Sequence, residues 1–118
     1  MQITQSMHIR NQEKLTEFAQ RHPNTRSALN RWRELMERES FGSIVALREK
    51  FPHADLVQVN VRERLPTGLY ITAKRTWTAF NIGGNKARLL VSMQYQFQRA
   101  TIRKVFTHAE YDAWNKRR

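Results

Sequence analysis

Three short runs of β-branched and aromatic residues in the last third of the chain constrain its fold more than any other feature. They cover residues 76–82, 87–95 and 100–106, and Gly83-Gly84-Asn85 separates the first two. Gly and Asn readily adopt the positive φ that a tight turn needs, and runs of this composition between turn residues are typical of strands. The pattern therefore predicts an antiparallel meander.

Positive charge is concentrated in the same part of the chain. Residues 1–40 contain seven Lys and Arg against five acids, residues 41–73 four against three, and residues 74–118 ten against two, within a formal net charge of +11. The excess lies on predicted strands and turns rather than on a helix with a broad apolar face. This favours a nucleic acid over an anionic membrane surface as the partner.

Length and composition set further limits. A chain of 118 residues can form one domain with a real core, so we expect a single domain over residues 1–118, with residues 1–6 as an N-terminal extension and residues 116–118 as a frayed basic tail. Cysteine is absent, which excludes disulfides and thiolate chemistry. No apolar run approaches the ~20 residues of a membrane helix, and the first ten residues lack the apolar core of a signal peptide. We expect a soluble, cytoplasmic protein without a membrane partner.

Helical periodicity and capping residues predict the rest of the α+β fold. We expect a short strand over residues 7–10 and four helices, whose signals are Leu15, Phe18 and Ala19 in the first, a core Trp32 in the second, Ser43 as the cap of the third, and Thr107 with Glu110 as a capping box of the fourth. The small antiparallel sheet should carry helices on one face. The other face, led by Arg88, should be open to a partner.

Strict alternation makes a specific prediction for the last strand. Thr101, Arg103 and Val105 should share one face, and Ile102, Lys104 and Phe106 should share the other. Between residues 56 and 75 the signal is weaker, because Val57, Val59 and Val61 alternate with polar residues before a Pro66-Thr67-Gly68 turn. We expect either a hairpin or a mobile loop there.

The residues that could perform catalysis are Arg88, Arg103, His108 and Tyr111. Two arginines on one face of adjacent strands can grip a phosphate, and His108 and Tyr111 lie three residues apart on a predicted helix. That set suits metal-free RNA cleavage, in which the ribose 2′-hydroxyl attacks the neighbouring phosphate. The plainer alternative is that His108 and Tyr111 only pack against the sheet or fill the start of a helix.

Four further residues are candidates for binding the RNA chain: Asn85, Lys86, Arg99 and Lys104. Gly83-Gly84-Asn85-Lys86 is foremost a hairpin turn, and any phosphate binding would be additional, since no helix begins there as in a P-loop. We expect no metal site, because acids are few and Glu110 with Asp112 would make a poor two-metal site.

Two sequence blocks resemble a known family. F-N-I-G-G-N-K-A-R-L-L-V from Phe80, followed by I-R-K-V-F-T-H-A-E-Y-D from Ile102, is similar to HigB-type toxins of bacterial toxin–antitoxin pairs, within the RelE-like superfamily. The resemblance runs from Met7 onward, and the stretch 56–75 looks longer than that family leads us to expect. The family pattern falls on the following positions: Asn81, Gly84, Asn85, Arg88, Arg103, Thr107, His108, Tyr111 and Asp112.

The resemblance implies an α+β RelE-like fold, cleavage of messenger RNA on the translating ribosome without a cofactor, and a HigA-like antitoxin with a helix-turn-helix. A non-catalytic RNA- or ribosome-binding protein is the main alternative, because a binding surface would use the same arginines. A DNA-binding subunit is a weaker one, since the chain has no basic recognition helix.

Overall fold

The computed structural model describes residues 6–118, so all of the expected N-terminal extension except Ser6 lies outside the described residues. Four α-helices and five strands follow one another in an α+β arrangement. In chain order they are β1 His8–Arg10, α1 Glu13–Arg21, α2 Arg26–Arg38, α3 Ile44–Lys50, β2 Asp55–Arg64, β3 Tyr70–Ile82, β4 Ala87–Gln94, β5 Arg99–Thr107 and α4 His108–Lys116. No described helix is both long and apolar enough to cross a membrane.

The strands form one sheet in the order β1-β5-β4-β3-β2. The last four strands form an antiparallel meander, and β3, β4 and β5 contain the three runs predicted from the sequence. The turn between β3 and β4 has Gly83 and Gly84 at φ of 58° and 71°. β1 adds a short parallel edge, with His8 opposite Arg99. Two parallel strands need a long connection. Here β1 and β5 are connected by all of the chain from Arg10 to Arg99.

Helices α1, α2 and α3 cover one face of the sheet, as expected. Phe18, Trp32 and Leu47 from these helices pack with sheet residues of the same core, and Trp32 meets Phe80 edge to face with 5.4 Å between ring centroids. Trp32 is 2% exposed, so the prediction that it belongs to the core is confirmed. Ser43 caps α3 by accepting a hydrogen bond from the Ala46 amide, also as expected.

The opposite face carries a second, smaller apolar cluster that alternation did not anticipate. It consists of Val57, Val59, Trp77, Ala79 and Leu90, with Phe106, Tyr111 and Trp114 packed against it. Helix α4 therefore lies across this face, while the other three helices lie on the first. Only the part of the face that α4 leaves uncovered is open, so the open surface is smaller than predicted.

A β-bulge in β5 corrects the predicted faces of that strand. Leu90 pairs with Lys104 but Val91 pairs with Ile102, which leaves Arg103 as an extra residue in the ladder. Lys104 and Phe106 therefore share the α4 face with Leu90, whereas Ile102 and Val105 pack on the main core. The prediction that Val105 shares a face with Arg103, and Lys104 with Ile102, was wrong. Alternation assumes an unbroken ladder, and the bulge breaks it.

Residues 55–82 form a long hairpin, which decides between the hairpin and the mobile loop considered for residues 56–75. Every residue from Asp55 to Arg64 has a partner in β3, and the turn has Gly68 at φ 92°. β3 pairs with β4 only from Thr78 to Ile82, so the rest of the hairpin extends past β4 as an arm.

The basic end of the chain contacts the rest of the protein. Lys116 closes α4, and Arg118 donates to the carbonyl of Gln58 and lies 5.0 Å from the Trp114 ring centroid. The last residues therefore tie α4 to the edge strand β2.

Candidate active site on the α4 face of the sheet

Arg88 is held by the turn that precedes it. It is paired with Phe106, which places its side chain on the α4 face. Its Nη1 donates to the carbonyls of Gly84 and Ala87 at 3.2 Å each, and its Nη2 donates to Asn85 Oδ1 at 3.1 Å. A guanidinium has five N–H groups, so two remain for a ligand while the other three fix its position.

Helix α4 begins directly after β5 and carries His108 and Tyr111. Its start is fixed by the predicted capping box: the Glu110 amide donates to Thr107 Oγ1 at 3.1 Å, and the Thr107 amide donates to Glu110 Oε1 at 2.8 Å. The backbone hydrogen bond from Thr107 is the main cause that lowers the pKa of the Glu110 carboxyl. The carboxylate form of Glu110 is therefore favoured at the N-terminus of the helix that presents both candidates.

His108 and Tyr111 have different surroundings. His108 is exposed, and its Nε2 lies 3.4 Å from Asp112 Oδ2, one turn further along α4. Tyr111 is half-buried between two rings, with centroid distances of 6.5 Å to Phe106 and 5.8 Å to Trp114. The imidazole is thus accessible and is oriented beside a carboxylate, and the phenol ring is fixed by packing.

The two candidate arginines do not converge. Arg103 lies three residues before Phe106, about 10 Å along the strand from the position of Arg88 at ~3.3 Å per residue. Buried Leu90 and the aromatic cluster lie between Arg88 and Arg103. The Arg88 guanidinium also donates hydrogen bonds back to its own turn. The structure therefore brings Arg88 to the end of β5 where α4 begins, and places Arg103 elsewhere on the same face.

Arg103 and Lys104 are both exposed because of the bulge. Arg103 lines a polar cleft of about 250 Å³ with Trp77, Ser92 and Gln94. Arg103 and Lys104 also border a shallower depression against Lys14 and Arg21 of α1. The middle of β5 is consequently a basic surface between two recesses.

The predicted RNA-binding residues are spread over both ends and both faces of the sheet. Asn85 holds Arg88, as described above. Lys86 turns toward the helices of the main core, where its Nζ donates to the Asn24 carbonyl at 3.3 Å. Arg99 lies at the far end of β5, donating to Gln94 Oε1 at 3.3 Å with its guanidinium 5.6 Å from the Phe97 ring centroid. Lys104 is next to Arg103 in β5, and Arg99 reaches the cleft of Arg103 through its bond to Gln94.

Within residues 6–118 there is no group of three or more His, Asp or Glu side chains placed to hold a metal ion. The carboxylates nearest the candidate residues are occupied, Glu110 in the helix cap and Asp112 beside His108. The candidate residues on this surface present guanidinium, imidazole and phenol groups.

Sequence reasoning missed Arg75, which lines the same cleft as Arg103. Its Nη2 lies 2.5 Å from Glu63 Oε1 and its Nε donates to Glu63 Oε2 at 3.3 Å. The signal that could have found it is alternation in β3, where Ala73, Arg75, Trp77 and Ala79 occupy one face. That alternation was hidden because residues 56–75 were not assigned to a definite strand pair.

Comparison of the sequence with known proteins identifies a family. A family model described as HigB_toxin, the RelE-like toxic component of a toxin-antitoxin system, matches residues 25–114. The mRNA interferase HigB of Escherichia coli O6:H1 is 26% identical over 106 residues, which cover 90% of this chain and 89% of that protein. The mRNA interferase toxin HigB of Escherichia coli K12 and the mRNA interferase HigB of Shigella flexneri are each 26% identical over 90% of this chain and 88% of their own length.

The matched region includes every strand from β2 to β5, the turn that holds Arg88, and α4 as far as Trp114. It therefore contains all four candidate catalytic residues. The chain belongs to the HigB toxin family, the RelE-like toxic components of toxin–antitoxin systems.

Proposed function

We propose that this toxin is an endoribonuclease that cuts messenger RNA by attack of a ribose 2′-hydroxyl on the adjacent phosphate, without a metal ion. Relatives that align over nine-tenths of the chain carry the name mRNA interferase. The observation that supports the proposal most is the position of Arg88, which its own turn fixes at the end of the sheet where His108 and Tyr111 begin α4.

His108 acts as the base in this proposal. Its imidazole takes the proton of the 2′-hydroxyl, and the resulting imidazolium is stabilised by the Asp112 carboxylate 3.4 Å away. The 2′-oxygen bonds to phosphorus, the bond from phosphorus to the 5′-oxygen breaks, and Tyr111 supplies the proton that the leaving oxygen needs. The products are a 2′,3′-cyclic phosphate and a free 5′-hydroxyl.

Arg88 stabilises the negative charge that builds up on the phosphate in the transition state. Three of its N–H groups are engaged by the turn, so the other two are aimed without loss of side-chain freedom when RNA binds. Arg103 and Lys104 hold the neighbouring backbone. We assign Arg103 to the RNA backbone rather than to a joint grip on the scissile phosphate with Arg88, because its side chain lines a cleft away from Arg88.

The substrate in this proposal is a message being translated on the ribosome in the cytoplasm, and the partner is a HigA-like antitoxin with a helix-turn-helix. The support is the family to which the chain belongs and its net charge of +11, which suits a surface dense in phosphates. An antitoxin keeps such a nuclease inactive until it is released.

Translation in a cell-free system tests the proposal. Arg88→Ala should lower message cutting by roughly 100- to 1,000-fold, the usual effect of removing one transition-state donor. Arg38→Ala is the matched control, because Arg38 ends α2 on the other side of the sheet. Equal cutting by Arg88→Ala and wild type would remove Arg88 from the site.

The main alternative is a protein that binds RNA or the ribosome without cutting. Both functions would stop translation, so the synthesis of protein does not separate them. Mapping the 5′ ends of messages after induction does: the nuclease creates new ends inside coding sequences, whereas a binder stalls ribosomes on intact messages.

A further inference from the structure

The cleft beside Arg103 is a second feature of the α4 face, separate from the Arg88 end. One wall is the hairpin arm, with Val61, Glu63 and Arg75, and the other wall is formed by Ser92 and Gln94 of β4 with Arg103 of β5. It begins four residues along β4 from Arg88, about 13 Å at ~3.3 Å per residue. Because α4 covers Leu90 on the direct line, a single-stranded RNA whose scissile phosphate lies at Arg88 would reach the cleft along β5, past the exposed Lys104, after a few nucleotides.

The charge of the cleft suits a phosphate. The cleft is lined by one acid, Glu63, and by three arginines, which are Arg62, Arg75 and Arg103. Glu63 fixes Arg75 through two contacts, and Arg75 Nη1 also donates to the Lys74 carbonyl at 3.0 Å. The exposed side chain of Arg103 makes no hydrogen bond or ion pair within residues 6–118, so its full charge is available to a ligand.

The polar groups inside the cleft suit the edge of a nucleobase. Gln94 Oε1 accepts a hydrogen bond from Arg99, which orients the amide and leaves its NH₂ group free. The Ser92 hydroxyl is two residues away on the same face of β4 and can donate or accept. An amide and a hydroxyl fixed side by side can distinguish bases through their hydrogen-bonding edges.

We propose that this cleft binds one nucleotide of the message a few positions from the scissile bond, with Arg103 contacting its phosphate and Gln94 and Ser92 reading its base. The inference rests on the proposed nuclease function and adds a specificity site to it. It also gives the hairpin arm a role, since β2 and β3 supply the wall without which Arg103 would lie on an open surface.

The test is to map cut sites across the messages of a cell for wild type, Gln94→Ala, Ser92→Ala and Arg103→Ala. Gln94→Ala and Ser92→Ala should weaken the base preference at one position a few nucleotides from the cut by roughly 5- to 150-fold, because each removes a hydrogen-bonding group from the base edge. Arg103→Ala should reduce cutting at all sites alike, because a phosphate contact carries no sequence information. Gln96→Ala is the matched control, an exposed amide outside the cleft.

The outcomes are separable. A wild-type protein that creates no cut ends overturns the proposed function and this inference together. Wild-type cutting with an unchanged base preference in both Gln94→Ala and Ser92→Ala overturns the inference alone. Variants that cut as wild type does but resist neutralisation by the co-expressed product of the adjacent reading frame would assign the cleft to the antitoxin, which also overturns it.

Discussion

At the scale of single residues, the turn after β3 does two things that depend on each other. Its glycines adopt a left-handed backbone, with Gly84 at φ 71°, and this brings the Gly84 carbonyl and the Asn85 amide oxygen to the Arg88 guanidinium. The side chain that we propose to meet the scissile phosphate is therefore positioned by backbone geometry.

Replacement of Gly84 tests that dependence. Gly84→Ala should destabilise the fold by about 1–2 kcal/mol, because an L-residue in the left-handed region is strained although a Cβ there meets no atom within 4 Å. Gly42→Ala is the matched control, since its Cβ also meets nothing and its φ is not positive. Urea denaturation of both variants measures the difference, and equal stabilities would show that the turn tolerates a side chain.

At the scale of secondary-structure elements, α4 is the connection between fold and site. It covers Leu90 and Trp77 on one side and presents His108 and Tyr111 at its start. The charge state of its cap should therefore matter to the stability of the protein.

The capping carboxylate of Glu110 predicts a dependence on pH. Its pKa is lowered in the folded state, chiefly by the backbone hydrogen bond from Thr107, so its charge stabilises the fold above its unfolded-state pKa. That contribution is lost as the pH falls through the lowered pKa. Wild type should be more stable than Glu110→Gln at pH 7, and the gap should close under acid conditions below that pKa. A gap in urea midpoints that stays constant with pH would contradict this.

The apolar cluster under α4 makes a second prediction at this scale. Leu90→Ala should lower the free energy of unfolding by about 2–5 kcal/mol, because Leu90 is 0% exposed between the sheet and α4. Leu69→Ala changes the same side chain at a site that is 68% exposed, so the effect should stay within ~0.5 kcal/mol. Similar losses in the two variants would mean that α4 does not bury this cluster.

Much of the fold could be predicted from the sequence because its signals are local. The Gly-Gly-Asn turn, the Ser43 cap, the Thr107 capping box and the alternation in β4 all act over a few residues, and the structure contains each of them. The bulge at Arg103 could not be predicted, because it is a property of how β4 and β5 pair rather than of β5 alone. The same bulge decides which face Arg103 and Lys104 occupy.

The separation of Arg88 from Arg103 was hidden for a related reason. Both arginines lie on the α4 face, as alternation along β4 and β5 suggested, but the covering helix and Leu90 lie between them. Packing of this kind depends on contacts between distant segments. Arg75 was missed for the same reason, since only the paired hairpin brings it beside Arg103.

At the scale of the whole molecule, the net charge of +11 governs how the protein meets RNA. The α4 face carries Arg88, Lys104, Arg103 and Arg75 along a path from the β3–β4 turn to the cleft that passes beside the apolar cluster under α4. Contacts of this type release counterions from the nucleic acid, so binding should weaken steeply as salt is raised.

A salt titration tests that path with a 2′-O-methyl RNA oligonucleotide, which binds without being cut. The slope of log K against log salt should fall by about 0.7 in Arg103→Ala, the value for one lost contact to a single-stranded phosphate. Arg38→Ala removes the same charge from α2 and should leave the slope as in wild type. Equal slopes in all three proteins would place the RNA elsewhere.

The chemistry of the cut ends tests the central claim most directly. Messages cut by the wild-type toxin on ribosomes should end in 2′,3′-cyclic phosphates and begin with 5′-hydroxyls, and a 2′-O-methyl group at the scissile nucleotide should abolish that cut. Fragments that begin with 5′-phosphates, or cutting that persists beside a methylated 2′-oxygen, would contradict an internal attack promoted by Arg88, His108 and Tyr111.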